Sequence, residues 1–283
     1  MIDTHSHLNF KAFDNNYEEV IKRSFDNGVK AIINVGTDLK TSQKAVAIAN
    51  EFSAQGRSAS SGENCYAAVG LHPVHVEKEN FDSEKYIDLI RLNSDKIKAI
   101  GETGLDYYHI TDNAEREKQK KVFKQHLELA QKLNLPIIIH CRGSKENPKD
   151  AYQDLLDIIQ TNFPRQSASS QCQSALAGVI HCFTSDMEIA QKFLDLGFYL
   201  GFTGVITFKN THSLSEVVKN VDLNRILIET DCPFLAPEPH RGEQNEPSYV
   251  RFMAEKIAEI KGLPLGEVIK ITTQNAVKLF HLN

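Results

Sequence analysis

The sequence predicts an α/β protein, a (β/α)8 TIM barrel forming a single domain over residues 1–283. Three observations carry that prediction. Eight short β-branched runs occur, each is followed by a stretch with helical spacing, and the alternation persists from end to end. An open doubly wound sheet would show a similar alternation. No G-x-G-x-x-G follows any of the runs, which counts against it.

In order, the predicted strands are 1–4, 30–35, 66–70, 97–102, 136–140, 178–181, 198–201 and 225–229. Most are short, nearly unbroken apolar runs, such as AIINV and PIII, as expected of parallel strands covered on both faces. Helices are predicted near 16–27, 41–54, 82–93, 114–134, 148–161, 186–196, 213–220 and 246–261. The clearest carries Val122, His126, Leu129 and Leu133 on one stripe. A last helix near 265–279 is expected to pack across the barrel. Two Ser/Gln-rich stretches, 53–65 and 164–178, each follow a helix and precede a strand. That order puts them on the bottom face, away from the end where barrels build active sites.

Composition narrows the functional classes. With 41% hydrophobic and 24% charged residues, the chain is ordinary globular material, which excludes disorder and collagen. A net charge of −5 excludes coating DNA by bulk electrostatics but not gripping it at one local patch. Five cysteines with no C-x-x-C pair fit a reducing compartment. The start MIDTHSHLNF has no basic, apolar or cleavage region of a secretory leader, and no apolar run approaches ~18 residues. The expectation is a soluble cytoplasmic protein with no membrane association and no obligate protein partner.

His5 and His7 form His-x-His at the first strand end, and a spacing of two points both rings the same way. Glu102, His140, His181 and Asp231 recur at or just past the ends of four later strands. Buried apolar runs that end in a lone histidine or carboxylate demand a partner for it. Four imidazoles and two carboxylates suffice for two divalent ions with one carboxylate shared. Cys141, Cys182 and Cys232 each follow one of these residues, and alternation turns Cys141 and Cys182 outward as buried thiols. The same alternation puts Arg142 on the face of His140 and Glu229 on the face of Asp231. Arg142 is then a phosphate clamp or a surface ion pair. Glu229 contacts substrate or orients a ligand. His72, in GLHP, meets substrate or packs. Asp106 supports a ligand or caps a turn, and Tyr107 and Tyr108 offer faces for a base or serve as core. Arg241, in the Pro-rich loop after the last strand, sits where barrels commonly hold phosphate, and Lys145 and Lys209 would add charge nearby.

The ordered set MIDTHSHLNF, AAVGLHP, AIGETGLDYY, LPIIIHCR, GVIHCF, ILIETDCPFLAP and HRGEQNEP resembles the motifs of the TatD family of metal-dependent hydrolases. The likeness runs from residue 2 to TTQNAVKLFHL; the Ser-rich stretches depart from it. It implies a deoxyribonuclease, often a 3′→5′ exonuclease, with DNA as substrate and two divalent metal ions (Mg, Mn or Zn) as cofactors. By motif, His5, His7, Glu102 and Asp231 would hold one ion, and Glu102, His140 and His181 the other. Asp231 would also accept the proton of the attacking water, while Arg142, Arg241 and His72 neutralise phosphate oxygens. Glu102 stands where many dinuclear amidohydrolases place a carbamylated lysine. Two rivals remain at this level: hydrolysis of an amide, a lactone or an aminoacyl-tRNA ester, and a non-enzymatic metal-stabilised scaffold.

Overall fold

A computed structural model describes residues 1–54, 63–163 and 176–282. Most of the two Ser/Gln-rich stretches, 55–62 and 164–175, and with them their expected bottom-face position, lies outside the described residues.

Eight parallel strands pair in sequence order: β1 (Ile2–Ser6), β2 (Ala31–Val35), β3 (Asn64–Val69), β4 (Ile97–Asp106), β5 (Ile137–Arg142), β6 (Gly178–Ile180), β7 (Tyr199–Phe202) and β8 (Ile226–Ile228). The first strand meets the stretch after the last. Ser6 bridges to Cys232, the His7 amide donates to the Cys232 carbonyl (2.9 Å), and the Asp231 amide donates to the His5 carbonyl (2.9 Å). Outside the strands lie α1 (Tyr17–Asp26), α2 (Leu39–Ala54), α3 (Ser83–Leu92), α4 (Asn113–Leu133), α5 (Asp150–Asn162), α6 (Met187–Asp195), α7 (His212–Asn220), α8 (Val250–Lys261) and α9 (Leu265–Phe280).

Alternation along the strands sorts two cores. In β5, Ile137, Ile139 and Cys141 pack outward under the helices, while Ile138 joins Ile33, Val179 and Leu227 in the barrel interior. Ala276, Leu279 and Phe280 of α9 close that interior from below. Each such fully buried large side chain contributes about 1.5–3 kcal/mol. Asn275 anchors the plug, donating to the Leu223 and Ile226 carbonyls at 2.8 Å each.

Three departures from the predicted elements bear on the site. First, β4 continues four residues past its predicted end because Gly104, Leu105 and Asp106 pair with His140, Cys141 and Arg142. Second, between Ile100 and Thr103 the β4–β5 register slips by one residue, a bulge that re-aims Glu102. Third, β6 ends at Ile180, so alternation does not extend to Cys182. That residue takes a left-handed conformation (φ 45°), and its thiol lies 3.2 Å from the Thr203 hydroxyl instead of under the outer helices. Cys141 and Cys232 are buried in the apolar core.

Candidate metal centre

The six residues singled out at strand ends converge at one end of the barrel. The Nε2 atoms of His5 and His7 lie 3.1 Å apart. Glu102 sits between two sets of imidazoles. Its Oε2 is 3.4 Å from His5 Nε2 and 3.7 Å from His7 Nε2, whereas Oε1 is 3.0 Å from His140 Nδ1 and 3.5 Å from His72 Nε2. Asp231 Oδ1 lies 3.4 Å from His7, 3.7 Å from His181 and 3.9 Å from His5. His181 stacks on His5 with centroids 3.5 Å apart.

Among the described residues three groups hold donor atoms within 4.8 Å of one another: His5, His7 and Asp231; His5, His181 and Glu229; His72, Glu102 and His140. His181 therefore falls beside His5 and the carboxylates that follow β8, not in the group that joins Glu102 to His140.

Hydrogen bonds set the tautomers. The His7 Nδ1 faces the Val35 carbonyl at 2.8 Å, so the proton sits there and Nε2 offers a lone pair. His72 is the reverse. Its Nδ1 accepts the Val74 amide (3.2 Å), which leaves Nε2–H pointing at Glu102 as a donor. The Nδ1 of His5 is buried and has no hydrogen-bond partner among the described residues. Behind His140, Asp106 takes Nε2 at 3.1 Å and also accepts the His109 amide, so it both supports the ring and caps the turn.

Glu229 corrects an expectation. It shares no face with Asp231, because the chain leaves β8 at Ile228 and Asp231 turns left-handed (φ 58°). Its carboxylate is fully buried, 2.9 Å from His181 Nδ1 and accepting the Cys182 amide at 2.6 Å. A contact with substrate is closed to it, and orienting His181 is what its position allows. Tyr107 is likewise closed: it is buried, its hydroxyl donates to Asp154 (2.7 Å), and Arg116 covers its ring. Arg142 and Arg241 are exposed, stacked on Tyr108 (4.0 Å) and Phe208 (3.7 Å), and among the described residues neither pairs with a carboxylate.

Sequence reasoning missed three supports. Asp3 is fully buried and accepts the His5 and Thr230 amides (3.3 and 2.9 Å) and the Thr230 hydroxyl (2.6 Å), tying β1 to the loop that carries Asp231. His126 accepts the Leu71 amide (3.0 Å) and so holds the GLHP loop. Asn245 donates to the Thr230 and Phe234 carbonyls and braces the Asp231 loop. The faint signal for Asp3 was a carboxylate opening a buried strand.

Burial opposes charge on every one of these groups, and the neighbours decide the outcome. For Glu102 and Asp231 the surrounding imidazoles overcome burial and hold both carboxyls below their usual range. Burial pushes His5 down and His72 down to about 3. His140 is carried the other way, to about 9, because Asp106 and Glu102 outweigh burial; Glu229 does the same for His181, to about 10. Burial lifts Asp3 to about 8.

These shifts predict how the cation-free protein responds to pH. Above about pH 6.5 an unfolded chain has released the protons of Asp3, His140 and His181, while the folded chain retains them until about 8, 9 and 10. Folding then binds protons, so stability declines as pH rises. Below about 6.5 the unfolded chain protonates His5 and His72, which stay neutral when folded, and stability declines again. The melting temperature of chelator-treated protein is expected to peak near pH 6.5 and to drop by at least several degrees toward pH 9. A flat profile over that span would show that the two imidazoles are not protonated in the folded state.

The comparisons agree with this architecture. The profile of the TatD related DNase family matches residues 2–281. The chain is 40% identical over 283 residues to the uncharacterized metal-dependent hydrolase YabD of Bacillus subtilis, with all of both chains covered. It is 35% identical to the uncharacterized metal-dependent hydrolase YcfH of Escherichia coli K12, covering all of this chain and 96% of the relative. The crystal structure of YjjV, a TatD homolog from Escherichia coli K12, superposes with a TM-score of 0.84 at 25% identity, covering 100% of this chain and 98% of that one. A TatD family hydrolase from Entamoeba histolytica superposes at 0.80, also at 25% identity, over 100% and 98% of the two chains. Eight parallel strands in sequence order, donor groups gathered at their ends and a family match over nearly every residue have one reading: the chain belongs to the TatD family of metal-dependent hydrolases.

Proposed function

We propose that this protein is a deoxyribonuclease that hydrolyses phosphodiesters with two divalent cations and trims DNA from the 3′ end. The observation that supports the dinuclear reading is the division of Glu102, whose two oxygens face different sets of imidazoles. A carboxylate that bridges two cations needs that arrangement. By the family's motifs His5, His7, Glu102 and Asp231 would hold one ion, and Glu102 and His140 the other together with His181, whose ring here packs against His5. The lone pair on His7 Nε2, the depressed Glu102 and Asp231 carboxyls and the His5 Nε2 gathered beside them fit such a donor set. When bound, the ions supply Lewis-acid polarisation of the phosphoryl group and a nucleophile at neutral pH.

The remaining steps belong to the side chains. Asp231 is kept ionised, orients the attacking water and takes its proton. His72 donates Nε2–H to a non-bridging oxygen, a role that its tautomer favours over ligation. Arg142 and Arg241, whose guanidinium carbons lie over aromatic rings and which pair with no carboxylate among the described residues, present N–H groups to phosphates. As water adds to phosphorus the P–O3′ bond breaks, and the released O3′ takes up a proton. Among the described residues no helix is long and apolar enough to cross a membrane.

The test is reconstitution. Metal-stripped protein, reloaded separately with magnesium, manganese or zinc, is given single- and double-stranded DNA labelled at the 5′ or 3′ end, with Glu102→Gln as control. A cation-dependent ladder from the 5′ label, absent in the control, is expected. No cleavage with both ions bound would transfer the site to an amide, a lactone or an aminoacyl ester.

A further inference from the structure

Among the described residues two phenyl or phenol rings are exposed, Tyr108 (37%) and Phe234 (52%). Both follow strand ends, β4 and β8, at the end of the barrel that holds the histidines. An isolated exposed ring is ordinary on a protein surface. What sets these two apart is their position and how differently their faces are used. Arg142 and Lys145 lie 4.0 and 5.0 Å from the Tyr108 centroid, so that ring serves as a support for two cations. Among the described residues no cation lies over Phe234. Its ring neighbour is Phe10, met edge-on at 6.1 Å and 70°. Phe10 in turn lies flat on His7, 4.4 Å away at 11°. His7, Phe10 and Phe234 thus form a continuous aromatic step from the candidate metal centre to solvent.

The step is well anchored. The Phe234 amide donates to the Asp231 carbonyl at 3.0 Å, and Asn245 holds the Phe234 carbonyl at 2.6 Å. Phe234 is therefore placed by the same short loop as Asp231. In the order of the barrel, β1 and β8 lie opposite β4 and β5. The aromatic step and the cationic shelf flank the centre from opposite sides.

We infer that Phe10 and Phe234 form a stacking subsite for the nucleobase of the nucleotide bound at the metal centre, while Arg142 and Lys145 on Tyr108 receive backbone phosphate across from it. The inference rests on the phosphodiesterase reading above and deepens it. A base stacked on Phe234 cannot stay paired in a duplex, so the subsite selects unpaired or frayed ends. Stacking tolerates any base, because every base has a π-face.

The chain contains no tryptophan, so Phe234→Trp installs a single reporter at the step. The metal-loaded variant is titrated with thymidine 5′-monophosphate and with 2-deoxyribose 5-phosphate, which share phosphate and sugar and differ in the base. The nucleotide is expected to quench the tryptophan and the sugar phosphate to leave it unchanged. Phe234→Ala, with its metal content unchanged, is expected to raise KM for single-stranded DNA about tenfold, with a smaller change in kcat, and Phe234→Trp to restore it. Equal responses to both small ligands, or an unchanged KM in Phe234→Ala, would overturn the subsite. The titration needs no turnover, so the two readings fail separately. Quenching without DNA cleavage removes the deoxyribonuclease assignment and leaves the subsite; cleavage without base-dependent quenching does the reverse.

Discussion

Glu102→Ala is expected to abolish hydrolysis and to empty both cation positions together, leaving a barrel that still folds. The side chain is buried, and its two oxygens are each within 4 Å of two imidazoles. Its loss removes the one group common to both proposed ligand sets. The Lewis-acid contribution of bound cations amounts to several kcal/mol, and each 1.36 kcal/mol is tenfold in rate, so activity should decline by at least roughly 1,000-fold. The fold should survive with reduced stability. Glu102 belongs to neither apolar core, but its removal leaves His140 without one of the two carboxylates that offset its burial. Metal analysis, hydrolysis and circular dichroism on one preparation would check all three statements. A variant that keeps two equivalents of metal and normal turnover would sink the bridging role.

Gly104→Ala is expected to have the largest effect on stability of any single methyl group added near the centre. Gly104 has φ 142°, a conformation closed to residues with a Cβ, and it pairs with His140 across β4 and β5. A Cβ there would overlap the His140 carbonyl oxygen, which is backbone and cannot swing aside. Backbone strain and overpacking each cost about 1–3 kcal/mol, so a combined loss of roughly 2–6 kcal/mol is expected, with His140 displaced. Gly197→Ala separates the two causes. Gly197 also has positive φ (93°) but nothing within 4 Å of the added Cβ, so it should show the strain alone. Thermal denaturation of both variants decides the matter. A Gly104→Ala protein that melts with Gly197→Ala would mean that the strands can separate at little cost.

These two residues also mark how far sequence reasoning reached. Glu102 was identifiable because an apolar run ending in a carboxylate needs a partner. Gly104 was not, since the predicted strand stops at residue 102. It is strand because two glycines with positive φ let β4 approach β5. Asp3 escaped for a different reason: its partner Thr230 lies 227 residues away, beyond any local pattern. Extending strand alternation past Ile180 and Ile228, where the strands stop, misplaces Cys182 and the face of Glu229, while the ligand-orienting reading of Glu229 is the one its position allows. His72 stayed open between substrate and packing. Its tautomer, visible only through the Val74 amide, makes it a donor.

The sequence by itself determined the barrel and the inventory of donors. Apolar periodicity reports which face of each element is buried, and closing eight parallel strands brings their ends together whatever the details. The tertiary structure alone decided the pairing: which oxygen of Glu102 faces which imidazole, and which carboxylate stands behind which histidine. Those choices turn on a one-residue register slip at Glu102 and on left-handed backbone at Cys182 and Asp231. Each departure costs only about 1–2 kcal/mol, too little for local sequence to encode, and is held by contacts between residues far apart in the chain.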